Sequence, residues 1–153
     1  MLTVSDGVSA GVREDRSGDA LAELLAGDGY EVERRIVPDE RAQIAAALAE
    51  LDARVILTTG GTGVAPRDVT PEATAEVVER LVPGIPEALR ADSIAKTPHG
   101  LLSRGIAGIR GRTLIVNLPG STGGCRDGYA ILREALPHAL KLLADEQTEH
   151  RQT

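Results

Sequence analysis

Aromatic side chains are almost missing from this 153-residue chain. It has no Phe and no Trp, and Tyr30 and Tyr129 are its only rings. Base stacking on aromatic platforms is therefore excluded as a binding mode. The core must be built from Leu, Ile, Val and Ala. Cys125 is the single cysteine, which excludes an intrachain disulfide and a multi-cysteine zinc site and fits a reducing cytoplasm. No apolar run approaches the ~18 residues of a membrane-spanning helix. No basic segment followed by an apolar one opens the chain, so no secretory leader is expected. A net charge of −6 and a pI near 5.1 exclude the basic face of a general nucleic-acid binder. The three histidines, His99, His138 and His150, have no metal-ligand spacing.

What remains is the composition of an ordinary globular chain, 42% hydrophobic and 26% charged. Its length predicts one domain over residues 1–145, followed by a polar tail over 146–153. Short apolar strands alternate with helical patterns. Strands are predicted at Leu2–Val4, Glu31–Val37 and Arg54–Thr59, and at Ile106–Ile109 and Thr113–Val116, the last two as a hairpin. Helices are predicted from a Ser17 cap to Ala26, from Asp39 through Ile44, Leu48 and Leu51, and from a Thr70 cap to Leu81. Two more run from Pro86 to Ala95 and from Gly124 to Ala144, with Pro137 inside the last. Ser5 to Arg16 reads as a loop. The alternation predicts an α/β fold, a three-layer α/β/α sandwich around a mostly parallel sheet.

Ligands of such sheets sit outside the carboxyl ends of the strands. Four loops follow those ends: Ser5-Asp6, Pro38-Asp39, Gly60 to Asp68, and Asn117 to Ser121. The third is the most informative. Val55-Ile56-Leu57 runs into Thr58-Thr59-Gly60-Gly61-Thr62-Gly63, then Arg67-Asp68-Val69-Thr70-Pro71-Glu72-Ala73. Glycines there let main-chain N–H groups approach an anion, and the following helix aims its positive end the same way. The loop lacks the Gly-Lys-Ser/Thr of a P-loop and the spacing of a dinucleotide fingerprint. Asp68 is a carboxylate able to hold Mg²⁺. Asp39 reads either as a helix N-cap or as a second such ligand. Arg67 is the best candidate for a phosphate contact among Arg13, Arg16 and Arg67. Asn117 and Ser121 are placed to meet a ligand. Cys125 near a helix start has weak standing as a nucleophile, because no triad pattern accompanies it.

Five ordered motifs together resemble the MoaB/Mog family of molybdenum-cofactor biosynthesis, whose domain also occurs in gephyrin. They are Val4-Ser5-Asp6, Val37-Pro38-Asp39-Glu40, the run from Thr58 to Ala73, Leu102-Ser103-Arg104, and Asn117 to Ser121. The resemblance covers nearly the whole chain. It implies a molybdopterin-binding fold assembled as a homotrimer or hexamer, and Mg²⁺- and ATP-dependent adenylylation of molybdopterin with release of pyrophosphate. It implies catalytic and Mg²⁺-binding roles for Asp39 and Asp68. Substrate or nucleotide binding falls to Ser5, Asp6, Gly60, Gly61, Thr62, Gly63, Arg67, Thr70, Ser103, Asn117, Pro119, Gly120 and Ser121. Other cofactor-biosynthesis proteins are implied partners; nucleic acid and membrane are not. The alternative within the same fold is a non-catalytic molybdopterin-binding or scaffold protein. Two features depart from the family pattern: Thr122-Gly123-Gly124 follows Ser121 where many members have proline, and the first strand is short.

Overall fold

The computed structural model describes residues 1–144; the polar tail predicted over 146–153, with His150, lies outside them. Six strands form one sheet: β1 (Leu2–Val4), β2 (Arg35–Val37), β3 (Val55–Thr59), β4 (Arg80–Leu81), β5 (Ala107–Arg110) and β6 (Thr113–Leu118). Their order is β2-β1-β3-β6-β5-β4. The pairs β1–β2, β1–β3 and β3–β6 are parallel, whereas β5 runs antiparallel to both of its neighbours. The predicted hairpin is β5–β6, and it turns at Gly111.

Six α-helices accompany the sheet among the described residues: α1 (Asp6–Ser9), α2 (Arg16–Gly27), α3 (Arg41–Glu50), α4 (Thr70–Val77), α5 (Gly84–Lys96) and α6 (Thr122–Leu143). A 3₁₀ turn spans Pro98–Leu102. Alternate residues of the central strands feed two apolar layers. Leu57, Leu114 and Val116 pack with Leu21 and Leu25 of α2 and with Cys125, Tyr129, Leu132 and Leu136 of α6. Ile56 and Ile115 turn the other way, onto Ile44 and Leu48 of α3 and Ala73 of α4. Side chains of successive strand residues point to opposite faces, so one buried strand serves both layers. The three-layer α/β/α sandwich follows from this.

Several element ends differ from the sequence reading, each for a local reason. The predicted loop after β1 contains α1, whose first turn is capped by Ser5 Oγ accepting from Val8 N at 3.2 Å. Asp15 rather than Ser17 caps α2, accepting from Gly18 N at 3.1 Å. Residues 31–34 lie outside any strand, so β2 is only three residues long. The helix expected to end at Leu81 stops at Val77, because Arg80–Leu81 pairs with β5 as an edge strand. The 22-residue α6 continues through Pro137.

This topology fixes where a site can form. From β1 the chain moves outward to β2, then returns on the far side of β1 to lay down β3. The carboxyl ends of β1 and β3 therefore face a crevice where the winding direction reverses.

Candidate active site

Glycines bring three strand ends into contact at that crevice. Gly60 has φ 99°, and a Cβ there would stand 2.2 Å from the Val4 carbonyl oxygen at the end of β1. A Cβ on Gly120, after β6, would stand 3.2 Å from Gly60 Cα. Gly61 has φ 69°, and a Cβ there would lie 2.3 Å from Thr70 Oγ1 and 3.1 Å from Asp39 Oδ1. Only glycine permits both the positive φ and the close approach. The result is a cavity of about 760 Å³ at the β1/β3 crevice, whose lining includes Ser5, Asp39, Gly60, Gly61, Asp68 and Ser121.

Asp39 and Asp68 thus face one cavity from different loops, as the sequence analysis expects. Asp39 is not the cap of α3. Glu40 occupies that position and makes no side-chain cap bond. The Asp39 carboxylate instead accepts from Asp6 N at 2.8 Å, and Asp6 returns the bond by accepting from Asp39 N at 3.0 Å. This exchange ties the β1 loop to the β2 loop. Burial pushes the Asp39 carboxyl above its ordinary range, and the negative charges of Asp6 and Asp68 push it further; the bond from the Asp6 main chain opposes them. Two carboxylates held near each other in this way suit a cation. Asp68 also holds its own loop, accepting from Ala65 N at 3.1 Å.

Arg67 is not free to meet a phosphate. Its guanidinium donates to both oxygens of Asp6, each at 2.9 Å, and to Glu40 at 2.9 Å. Arg67 is the main reason the Asp6 carboxyl sits below the usual range. Arg13 lines the cavity without an ion-pair partner among the described residues, and Arg16 lines it while pairing with Glu14. Arg13 is therefore the better cation for a ligand.

Two expected binding residues turn out to be internal. Thr70 is fully buried, begins α4 rather than capping it, and donates its hydroxyl to Gly60 O at 2.9 Å. Asn117 is also buried. Its amide donates to Thr58 Oγ1 at 3.1 Å and Thr74 Oγ1 at 3.0 Å, and its carbonyl accepts from Ile106 N at 3.1 Å. Both shape the loops from behind, and neither has a donor left for a ligand. Cys125 is buried as well, and burial pushes its thiol up to about 11, so the nucleophile reading fails.

The loop after β3 offers what these residues do not. The main-chain N–H groups of Gly61, Thr62 and Gly63 donate to no acceptor among the described residues. Ser121 caps α6 by accepting from Gly124 N at 3.1 Å, while the N–H groups of Thr122 and Gly123 donate to no acceptor among the described residues. A second cavity, of about 480 Å³, adjoins the loop after β3. Thr62, Gly63, Ser103, Pro119 and Gly124 line it, and Ser121 lines both cavities. Unpartnered N–H groups on a glycine loop and at a helix start are the ordinary means of holding phosphate. Among the described residues, no cluster of three His, Cys, Asp or Glu side chains is arranged to hold a metal.

Residues 1–138 match the family described as a probable molybdopterin-binding domain. The chain belongs to this family. Over 150 residues it is 40% identical to a molybdopterin adenylyltransferase of Helicobacter pylori, covering 94% of this chain and 85% of that protein. It is 41% identical to the Drosophila melanogaster molybdenum cofactor synthesis protein cinnamon over 160 residues. There it spans all of this chain but only 26% of the fly protein. A crystal structure of the molybdopterin biosynthesis enzyme MoaB from Thermus thermophilus superposes with a TM-score of 0.87 at 48% identity, covering 95% of this chain and 94% of that one. The mostly parallel α/β/α architecture is therefore that of the molybdopterin-binding family.

Sequence reasoning did not single out Arg104, which lines neither cavity but donates to Gly63 O and Asp68 O of the loop after β3. It was legible only as part of Leu102-Ser103-Arg104, and no local pattern says that its side chain reaches the glycine loop.

Proposed function

We propose that this chain is a molybdopterin adenylyltransferase that uses ATP and Mg²⁺ and works in the cytoplasm as a homotrimer or hexamer. One observation carries the reading. Asp39 and Asp68 face the same cavity as Gly61, the first of three residues with unpartnered N–H groups in the loop after β3; the other two, Thr62 and Gly63, line the second cavity. The names of the relatives agree with it. A terminal phosphate oxygen of molybdopterin attacks the α-phosphorus of ATP; one P–O bond forms and the bond to pyrophosphate breaks. The attacking oxygen is already anionic, so no general base is needed. The protein's task is positioning and charge stabilisation. The N–H groups of Gly61, Thr62 and Gly63 receive phosphate oxygens, and Arg13 adds a positive charge at the cavity wall. Two cavities that meet at Ser121 suit two substrates whose phosphates must meet.

The donor set fits Mg²⁺. Two carboxylates without a third protein ligand match an ion that keeps several waters and takes substrate phosphates as its remaining ligands. Asp39 and Asp68 would hold it, and it would supply charge neutralisation on the departing pyrophosphate. Possible partners beyond the two substrates are other proteins of the same biosynthesis. No described helix is long and apolar enough to cross a membrane.

The test is incubation of the purified protein with molybdopterin, ATP and Mg²⁺, followed by detection of adenylylated product. Binding of both substrates without product would favour the scaffold alternative.

A further inference from the structure

Arg104 lies in the segment between the 3₁₀ turn and β5, and its bonds converge on a neighbouring loop. Its main-chain N–H donates to Thr62 O at 2.8 Å. Its Nε donates to Gly63 O at 2.6 Å and its Nη2 to Asp68 O at 2.6 Å. Its Nη1 is paired with Glu72 in the first turn of α4. One planar guanidinium therefore spans both feet of the arc from Gly63 to Asp68 and fastens that arc to the helix behind it.

The segment is itself anchored on both sides. Arg90 of α5 donates to Gly105 O at 2.8 Å. Asn117 exchanges main-chain and side-chain bonds with Ile106, at 3.0 and 3.1 Å. Residues 103–106 thus join the glycine loop after β3 to the end of β6. Beyond these bonds the arc is held from outside by Arg67, whose exposed guanidinium pairs with Asp6 and Glu40. Val64, Ala65, Pro66 and Arg67 are exposed, and the internal ties are Asp68 N to Ala65 O and Ala65 N to the Asp68 carboxylate. Where the Asp68 carboxylate points depends on where Asp68 O and Gly63 O are fixed.

We propose that Arg104 is a positioning residue: it sets the geometry of the Gly63–Asp68 arc and, through it, aims Asp68 into the cavity. The catalytic half of this inference rests on the adenylyltransferase reading; the loop-setting half does not. Lysine cannot replace Arg104, since a single ammonium cannot reach three separated acceptors in one plane.

The test has two independent parts. The first is a double-mutant cycle of Arg104→Met and Asp68→Asn, with Arg104→Lys alongside, read as adenylylation rate. A misplacement of about 1 Å can cost ~10²-fold, so we expect a ~10–100-fold loss in kcat for Arg104→Met and for Arg104→Lys, with a higher Mg²⁺ requirement. In the Asp68→Asn background, Arg104→Met should cost only ~2-fold, because the group it aims is already gone. The second part is limited trypsin digestion, which needs no turnover. Cleavage after Arg67 should be at least ~10-fold faster in Arg104→Met than in wild type, because an unfastened arc opens locally. Equal losses in both backgrounds, or wild-type turnover in folded Arg104→Met, would overturn the positioning of Asp68. Unchanged cleavage at Arg67 would overturn the setting of the arc, even if wild type makes no product. Absence of product in wild type with accelerated cleavage in the variant would sink the adenylyltransferase reading alone.

Discussion

Asp39 and Asp68 each do two things, and a useful substitution must separate them. Asp39 Oδ2 holds the α1 loop through Asp6 N, and Asp68 Oδ2 holds its own arc through Ala65 N. Asparagine keeps an oxygen acceptor at each place and removes the charge. Asp68→Asn and Asp39→Asn should therefore fold normally, with each losing ~10²–10³ in turnover, the usual cost of one charge-stabilising group. Steady-state kinetics beside a thermal melt checks this; a well-folded Asp68→Asn protein with wild-type turnover would end its proposed role. Cys125 gives a second prediction. A buried thiol whose pKa lies at about 11 is mostly protonated at pH 8. Alkylation by iodoacetamide should be slow in the native protein and fast in denaturant; rapid native labelling would show the thiol reachable. At this scale the sequence was least legible. It offered Asp39 and Thr70 as caps, and both side chains are spent on tertiary bonds instead. It offered Asn117 and Arg67 to a ligand, and residues 11 to 61 positions away in the chain claim them.

The elements themselves could be read more easily. Val55–Thr59 and Thr113–Leu118 are short, β-branched or aliphatic apart from Asn117, and bounded by turn residues, and both are strands of the central sheet. Their glycine ends could be read as tight loops from composition. That Gly60 must pass under the carbonyl of Val4 could not, because β1 and β3 are neighbours only in the folded sheet. Edge elements were harder. The strand β4 has two residues and is exposed, and it exists only because β5 is beside it. A prediction belongs here. Gly60→Ala places a Cβ 2.2 Å from Val4 O on a backbone with φ 99°. The positive φ alone costs about 1–3 kcal/mol, before the clash is relieved. Urea unfolding should show a loss larger than that, or no folded protein. An unchanged midpoint would mean that β1 and β3 do not meet as described.

For the whole molecule, alternation of strands and helices was enough to give the three-layer architecture, and the order of the loops was enough to point to the carboxyl ends of the strands, where the candidate cavity lies. Leu81 on the edge strand and Leu101 and Leu102 on the 3₁₀ turn are all exposed. An exposed edge strand usually needs cover. We expect a trimer or a multiple of one, measured by sedimentation equilibrium; a stable monomer at micromolar concentration would rule this out. The central claim is adenylyl transfer, and ATP labelled at its α-phosphate tests it most directly. With purified protein, molybdopterin and Mg²⁺, the label should move onto molybdopterin in step with pyrophosphate release, in wild type and not in Asp68→Asn. Label that stays on ATP, while both substrates bind, would contradict the account.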